Sequence, residues 1–384
     1  MKRRGFIQSS GLIVGGISTG FTNIGSGKTQ PDEIKSLKKI VKFTRDGLDM
    51  GPVEYSWELN QLAESTKIKV DYYSQGGSIL ELENKFAELL GKESAVFMPT
   101  GTLANHIAIR KLAGNRKRVI VQADSHIYRD SGDCVQTLSG INLIPIKPGM
   151  EGFTLDDLEE IIDRTQKNRV KTEIGAISIE SPVRRHNNAM FDFEELKKIS
   201  EYARKNNIGI HLDGARLFNA SGHSGISPST FAEFFDTVYI SMYKNFNAAS
   251  GAILAGSRDF TKDLFQTRRM FGGGMPQSWP FAAIPLKYAD SFLDEYKKAI
   301  IQSKKLFELL NKIPSFSVEE IPNGSNVFIL KLKNADPEKL KSQLAERGIE
   351  IPSPSGQIFS MKINVTLNRD TPENIASKFK LALA

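Results

Sequence analysis

Two residues set the chemistry open to this chain: a lysine and an aspartate, each at the end of an apolar run. Val238-Tyr239-Ile240-Ser241-Met242-Tyr243-Lys244 reads as a buried strand that delivers an ammonium group to its end. Burying an ammonium is unfavourable, so such a lysine shifts toward the neutral amine, which can form a Schiff base with an aldehyde. Ser241 lies three residues earlier, where its hydroxyl could reach a phosphate. Upstream, Ile208-Gly209-Ile210-His211-Leu212-Asp213 ends in a carboxylate and turns at Gly214. Ligands of open α/β sheets bind beyond the carboxyl ends of the strands, where Asp213 could pair with a protonated ring nitrogen. The spacing of 31 residues between Asp213 and Lys244 is about one strand–helix–strand unit, which puts them on different strands facing one pocket.

Two further segments complete the set. Thr100-Gly101-Thr102 follows an apolar stretch and opens a helix, offering free backbone N–H groups and two hydroxyls to an anion. His126, in Asp124-Ser125-His126-Ile127, could stack on an aromatic ligand and move protons near neutral pH. Each signal has an ordinary alternative when taken singly. A strand-end lysine can be a solvated charge, an aspartate or threonine a helix cap, and a histidine a structural residue. The combination is what points to a site.

The elements that must position these residues follow from hydrophobic periodicity. Strands are expected at Ala95–Met98, Val119–Gln122, Asn142–Ile146, Ile174–Ile179, Ile208–Leu212, Val238–Ser241 and Ala252–Ala255. Helical patterns lie between them, as at Leu155–Arg164 and Phe193–Asn206, and Ser78–Leu90 precedes them. This alternation predicts an α/β fold, a mostly parallel sheet with helices on both faces. From about Phe281 the pattern changes to a long helix at Ser291–Leu310, a strand at Val327–Leu332, a helix at Pro337–Arg347 and short strands to Asn364–Leu367. The expected division is residues 28–285 for an N-terminal segment with a large domain, and 286–384 for a small α+β domain.

Composition narrows the function classes. The 384 residues are 40% hydrophobic and 25% charged, as in an ordinary globular protein. The net charge of +7 is spread along the chain without a basic stripe interleaved with aromatics, so a nucleic-acid partner is not expected. The single cysteine, Cys134, excludes an intrachain disulfide and a Cys-based zinc site, and no metal site is expected. Arg3-Arg4-Gly5-Phe6, followed by a weakly apolar stretch from Ser9 to about Phe21, resembles a twin-arginine signal over residues 1–27. It implies export to the periplasm. The alternative is a basic tail on a cytoplasmic protein. The remaining sequence predicts no stable membrane insertion.

Taken in order, these motifs resemble the pyridoxal-5′-phosphate (PLP)-dependent threonine aldolases and β-eliminating lyases. Gly91-Lys92-Glu93, Thr100 to Asn105, Asp124 to Ile127, Glu180, His211 to Leu217, Lys244 and Gly272-Gly273-Gly274-Met275 carry the likeness over roughly residues 70–285. The resemblance implies the fold-type-I architecture, a homodimer or homotetramer, and a free amino acid as substrate. It implies that Lys244 carries PLP, Asp213 pairs with the pyridine nitrogen, and Gly101 and Thr102 bind phosphate. His126 would stack on the ring and act as base, and Arg216 would bind the substrate carboxylate. The implied reaction is retro-aldol cleavage of a β-hydroxy amino acid. The alternatives are β-elimination to a keto acid and ammonia, or a catalytically weak PLP- or amino-acid-binding protein. Departures cluster on the substrate side. They are Tyr72-Tyr73-Ser74-Gln75-Gly76-Gly77-Ser78 before the first helix, Ser181-Pro182 after Glu180, Asn245-Phe246-Asn247 after the lysine, and Pro276 after the glycines. A C-terminal arginine is replaced around Met361-Lys362.

Overall fold

In the computed structural model, the described residues form twelve strands in three sheets. It describes residues 31–65 and 67–383, so the export signal expected at residues 1–27 lies outside the described residues. The strands are β1 (Val41–Lys42), β2 (Ser94–Met98), β3 (Arg118–Gln122), β4 (Asn142–Ile146), β5 (Ile174–Glu180) and β6 (Gly209–Asp213). They continue with β7 (Thr237–Ser241), β8 (Ala252–Gly256), β9 (Phe316–Glu320), β10 (Val327–Leu332), β11 (Ile349–Glu350) and β12 (Ile358–Lys362).

The large sheet has the order β2-β8-β7-β6-β5-β3-β4. The run from β4 through β3, β5 and β6 to β7 is parallel, and β8 lies antiparallel to both β7 and β2. Alternation along the strands covers both faces. On β3, Ile120 joins one core cluster while its neighbours Val119 and Val121 join another. All seven residues of β5 are buried, as a parallel strand with helices on both faces requires. The helices Leu155–Gln166 and Phe193–Lys205 are fixed at their starts by Thr154 and Asp192, whose side chains accept from Asp157 N and Glu195 N.

A second region holds the antiparallel sheet β12-β10-β9 and the parallel pair β1-β11. Helix Phe292–Leu310 joins the two regions. Its first residue packs on Phe246 (ring centroids 5.4 Å apart) and its Phe307 on Phe328 (4.5 Å). Residues 41–46 are stitched into this second region. Phe43 N donates to Glu350 O, Lys362 N donates to Phe43 O, and the Phe43 ring meets Phe328 and Phe379 edge-on.

Sequence-based boundaries agree within one or two residues for the large-sheet strands. The exception is Asn364–Leu367, expected as a strand, which lies at a 3₁₀ helix, Val365–Arg369. Asn364 accepts from Thr366 N at 2.9 Å and donates to the Lys42 and Arg45 carbonyls, which draws the backbone into a turn. No helix among the described residues is long and apolar enough to cross a membrane.

Candidate active site

The carboxyl edge of the large sheet gathers the chemistry. Asp213 ends β6, Glu180 ends β5, Lys244 stands three residues past β7, and His126 four residues past β3. Since β5, β6 and β7 are neighbours, their ends converge. They line a slot of about 190 Å³ together with Thr100, Gly101 and Thr102. A wider cavity of about 810 Å³ adjoins it, lined by Asp46, Tyr55 and Lys362 among others. His126, Arg184, Arg216, Tyr243 and Lys244 line both.

Lys244 is the amine of the slot. Burial first, and then the Arg216 charge, lower its pKa to about 8, while Asp213, Asp46 and Glu180 pull the other way. About a tenth of the amine is therefore neutral at pH 7, far more than in a solvated lysine. Its loop is held from behind. Asn245 donates to Asn219 Oδ1 at 2.8 Å, and Asn247, in the left-handed region at φ 61°, accepts from Leu48 N at 2.7 Å.

Asp213 is oriented by a buried relay. Its Oδ2 accepts from Asn105 Nδ2 at 2.5 Å and its Oδ1 from Ala215 N at 3.2 Å. Because the Asn105 amide donates to Asp213, its Oδ1 must accept, here from His211 Nε2 at 2.9 Å. His211 Nδ1 then accepts from the Thr237 hydroxyl at 2.8 Å. Burial lowers the His211 pKa to about 4, so the ring is neutral as this tautomer requires. The relay aims a carboxylate into the slot without neutralising it.

Glu180 fixes the opposite wall. Its carboxylate accepts from His126 N at 2.6 Å and Arg184 N at 2.9 Å, setting where both side chains begin. Burial and the Asp213 charge raise its pKa to about 7. Burial lowers the pKa of His126 despite Asp213 nearby, so its ring is mostly neutral at pH 7. Thr100 caps the helix Gly101–Ala113, accepting from Leu103 N at 3.2 Å. Gly101 has a steric reason as well: a Cβ there would overlap the Tyr239 hydroxyl.

The structure thus brings together seven of the residues expected from sequence: Lys244, Asp213, His126, Thr100, Gly101, Thr102 and Arg216. Ser241 is not among the slot-lining residues. Its hydroxyl is buried, and Tyr239, two residues earlier on the same face of β7, takes that place in the wall. Sequence reasoning missed Asp46, Tyr243 and Ser250, and assigned no role to Asn105 or Glu180. Asn105 carried a usable signal, a polar residue within the buried run Ala104–Ile109. Asp46 carried none, because its partners lie 170, 280 and 316 residues away.

Comparisons with known proteins agree with this geometry. The family model described as β-eliminating lyase matches residues 64–353. A low-specificity L-threonine aldolase of Saccharomyces cerevisiae is 28% identical over 85% of this chain and 82% of its own. A solved structure assigned as an aromatic amino acid β-eliminating lyase/threonine aldolase from Exiguobacterium sp. superposes with a TM-score of 0.75 at 25% identity, covering 91% of this chain and 99% of that one. Another, assigned as an L-allo-threonine aldolase from Listeria monocytogenes, gives a TM-score of 0.73 at 27% identity over 91% and 98% of the two chains. A match of this extent, on a chain whose lysine and aspartate meet at one sheet edge, makes it a member of the β-eliminating lyase family, the PLP-dependent group that includes the threonine aldolases.

Proposed function

We propose that the chain cleaves β-hydroxy amino acids of the threonine type by a retro-aldol reaction, with PLP held in the slot. The observation that carries this reading is the convergence of Lys244 and Asp213 on one slot closed by a helix N-terminus. That donor set fits PLP: an amine for the aldehyde, a carboxylate for the ring nitrogen, and N–H groups with hydroxyls for the phosphate. When bound, PLP supplies an electron sink for the pair of electrons left at Cα.

The chain's own residues do the rest. Lys244 holds the cofactor through its amine. The carboxylate of Asp213, kept in place by Asn105, stabilises a proton on the ring nitrogen. Thr100, Gly101 and Thr102 bind the phosphate at the helix start. His126, which lines both spaces, would stand against the ring and would accept the proton of the substrate β-hydroxyl. Arg216 binds the α-carboxylate. The Cα–Cβ bond breaks, the β-hydroxyl proton leaves, Cα gains a proton, and threonine becomes glycine and acetaldehyde.

A product screen on PLP-loaded protein tests the reading. Glycine and an aldehyde in equal amounts support it. Keto acid with ammonia instead would move the chain to β-elimination, and no product from any β-substituted amino acid would leave a binding protein. The small-domain division near residue 285, a homodimer or homotetramer, and twin-arginine export belong to the same reading. Replacing Arg3 and Arg4 by Lys stops export if that route is used.

A further inference from the structure

The inner wall of the wide cavity is built around one buried carboxylate. Asp46 is 6% exposed. Its Oδ2 accepts from Arg216 Nε at 3.1 Å, and its Oδ1 accepts from Asn326 Nδ2 at 2.9 Å and Lys362 Nζ at 3.0 Å. These partners come from the loop after β6, from the residue before β10 and from the end of β12. Burial opposes the charge on Asp46, but Arg216, Lys362 and the Asn326 bond outweigh it and hold the carboxyl far below the usual range. Asp46 is therefore ionised throughout the working range of pH.

Two cations against one carboxylate leave a surplus positive charge in a buried place. Such a charge is unfavourable until an anion arrives. The geometry says where the anion would sit. Arg216 reaches Asp46 through Nε alone, and its terminal nitrogens have no hydrogen-bond partner among the described residues. The end-on edge of the guanidinium is thus left for a two-pronged acceptor. Lys362 uses one donor on Asp46 and lines the same cavity.

Asp46 is itself held rigidly. Arg45 O accepts from Asn364 Nδ2 at 2.9 Å, and Leu48 N donates to Asn247 Oδ1. Between them Gly47 lies against the lysine loop, where a Cβ would collide with the Lys244 carbonyl. The segment carrying Asp46 is therefore pinned to the small sheet on one side and to the Lys244 loop on the other.

We propose that Asp46 is a positioning residue that holds Arg216 and Lys362 side by side as a paired receptor for the α-carboxylate of the amino-acid substrate. This rests on the PLP reading of the slot above. It adds a requirement which that reading does not contain, namely that a residue of the N-terminal segment sets substrate affinity without touching cofactor or substrate.

The test is a titration of PLP-loaded protein with glycine and with ethanolamine, the same amine lacking the carboxylate, followed by the visible band. In Asp46→Asn the glycine dissociation constant rises about tenfold or more, the size of a lost charge-assisted contact. Ethanolamine binding changes far less than glycine binding, PLP stays bound, and KM for threonine rises more than kcat falls. Asp46→Glu recovers part of the glycine affinity. Unchanged glycine affinity in Asp46→Asn overturns the proposal, and so does an equal loss for both ligands, which marks general damage. If Asp46→Asn does not fold, Lys362→Met and Lys362→Arg decide. The first must weaken glycine selectively and the second must restore it; glycine affinity unmoved by Lys362→Met overturns the proposal. Wild-type protein that takes up PLP and glycine but cleaves no β-hydroxy amino acid sinks the functional reading alone, because the titration still reads the receptor.

Discussion

The slot and the wide cavity beside it are built in opposite ways. The slot is assembled by the sheet: its lysine, aspartate, glutamate and helix start all sit at or just past the carboxyl ends of strands in one sheet. Such residues are placed once the strands pair, and the hydrogen-bond relay from Thr237 to Asp213 then fixes their aim. The wide cavity is assembled by contact between regions distant in sequence, with Asp46, Arg216 and Lys362 meeting only in the folded chain. The comparison teaches that the groups suited to the cofactor are placed by the large sheet, whereas the proposed substrate receptor depends on how the second region and the N-terminal segment dock on it.

The comparison breaks first if the slot is not the reacting site. Lys244→Ala is expected to abolish the visible band of PLP-loaded protein and to lower turnover roughly 10⁴-fold or more, as removal of a covalent group does. A retained band would place the cofactor elsewhere. Asp213→Asn keeps the shape and an oxygen to accept from Asn105, but removes the charge and the second acceptor, which faces Ala215 N. It is expected to lower kcat roughly 10²-fold to 10³-fold while PLP affinity falls far less. Comparable loss of both would argue that the carboxylate only anchors the ring.

A third outcome concerns pH. Lys244 is lowered to about 8 by burial and Arg216, so its amine is protonated below that pH and neutral above it. Attachment of PLP to cofactor-free protein needs the neutral amine. Its rate should fall about tenfold per pH unit below 8 and level off above it. Stopped-flow absorbance reads this directly. A rate that keeps rising to pH 10 would mean that the lysine is solvated and the slot open.

How much of this was legible beforehand follows from the same contrast. Each large-sheet strand is a short apolar run bounded by turn residues, so the periodicity located them all, and the order of motifs located Lys244, Asp213 and the helix start. Ser241 shows the limit of that method. Spacing from Lys244 put its hydroxyl near a phosphate, but the face of β7 is shared with Tyr239, whose phenol fills the wall where Gly101 leaves room. Residues 364–367 misled for a related reason. Their side-chain bonds to Lys42 and Arg45 come from the other end of the chain, and they override strand propensity. Asp46 was invisible because a lone aspartate between Arg45 and Gly47 looks like any polar turn until its three partners are brought to it.

The smallest effect tests whether the two spaces are separable. Tyr55 lines the wide cavity but not the slot, and its hydroxyl donates to Pro280 O at 2.9 Å and accepts from Ala249 N at 3.4 Å. It therefore ties the helix Pro52–Glu64 to the lysine loop and to the helix Trp279–Ala289. Tyr55→Phe removes these bonds and little volume, at a cost of about 0.5–1.5 kcal/mol in stability. If the cavity serves substrate and the slot serves cofactor, KM for threonine should rise about twofold to fivefold with kcat and PLP affinity unchanged, since ~0.5–1 kcal/mol corresponds to that range. A fall in PLP affinity of the same size would show that the wall behind Ala249 is shared, and that docking of the N-terminal segment shapes the slot as well as the cavity.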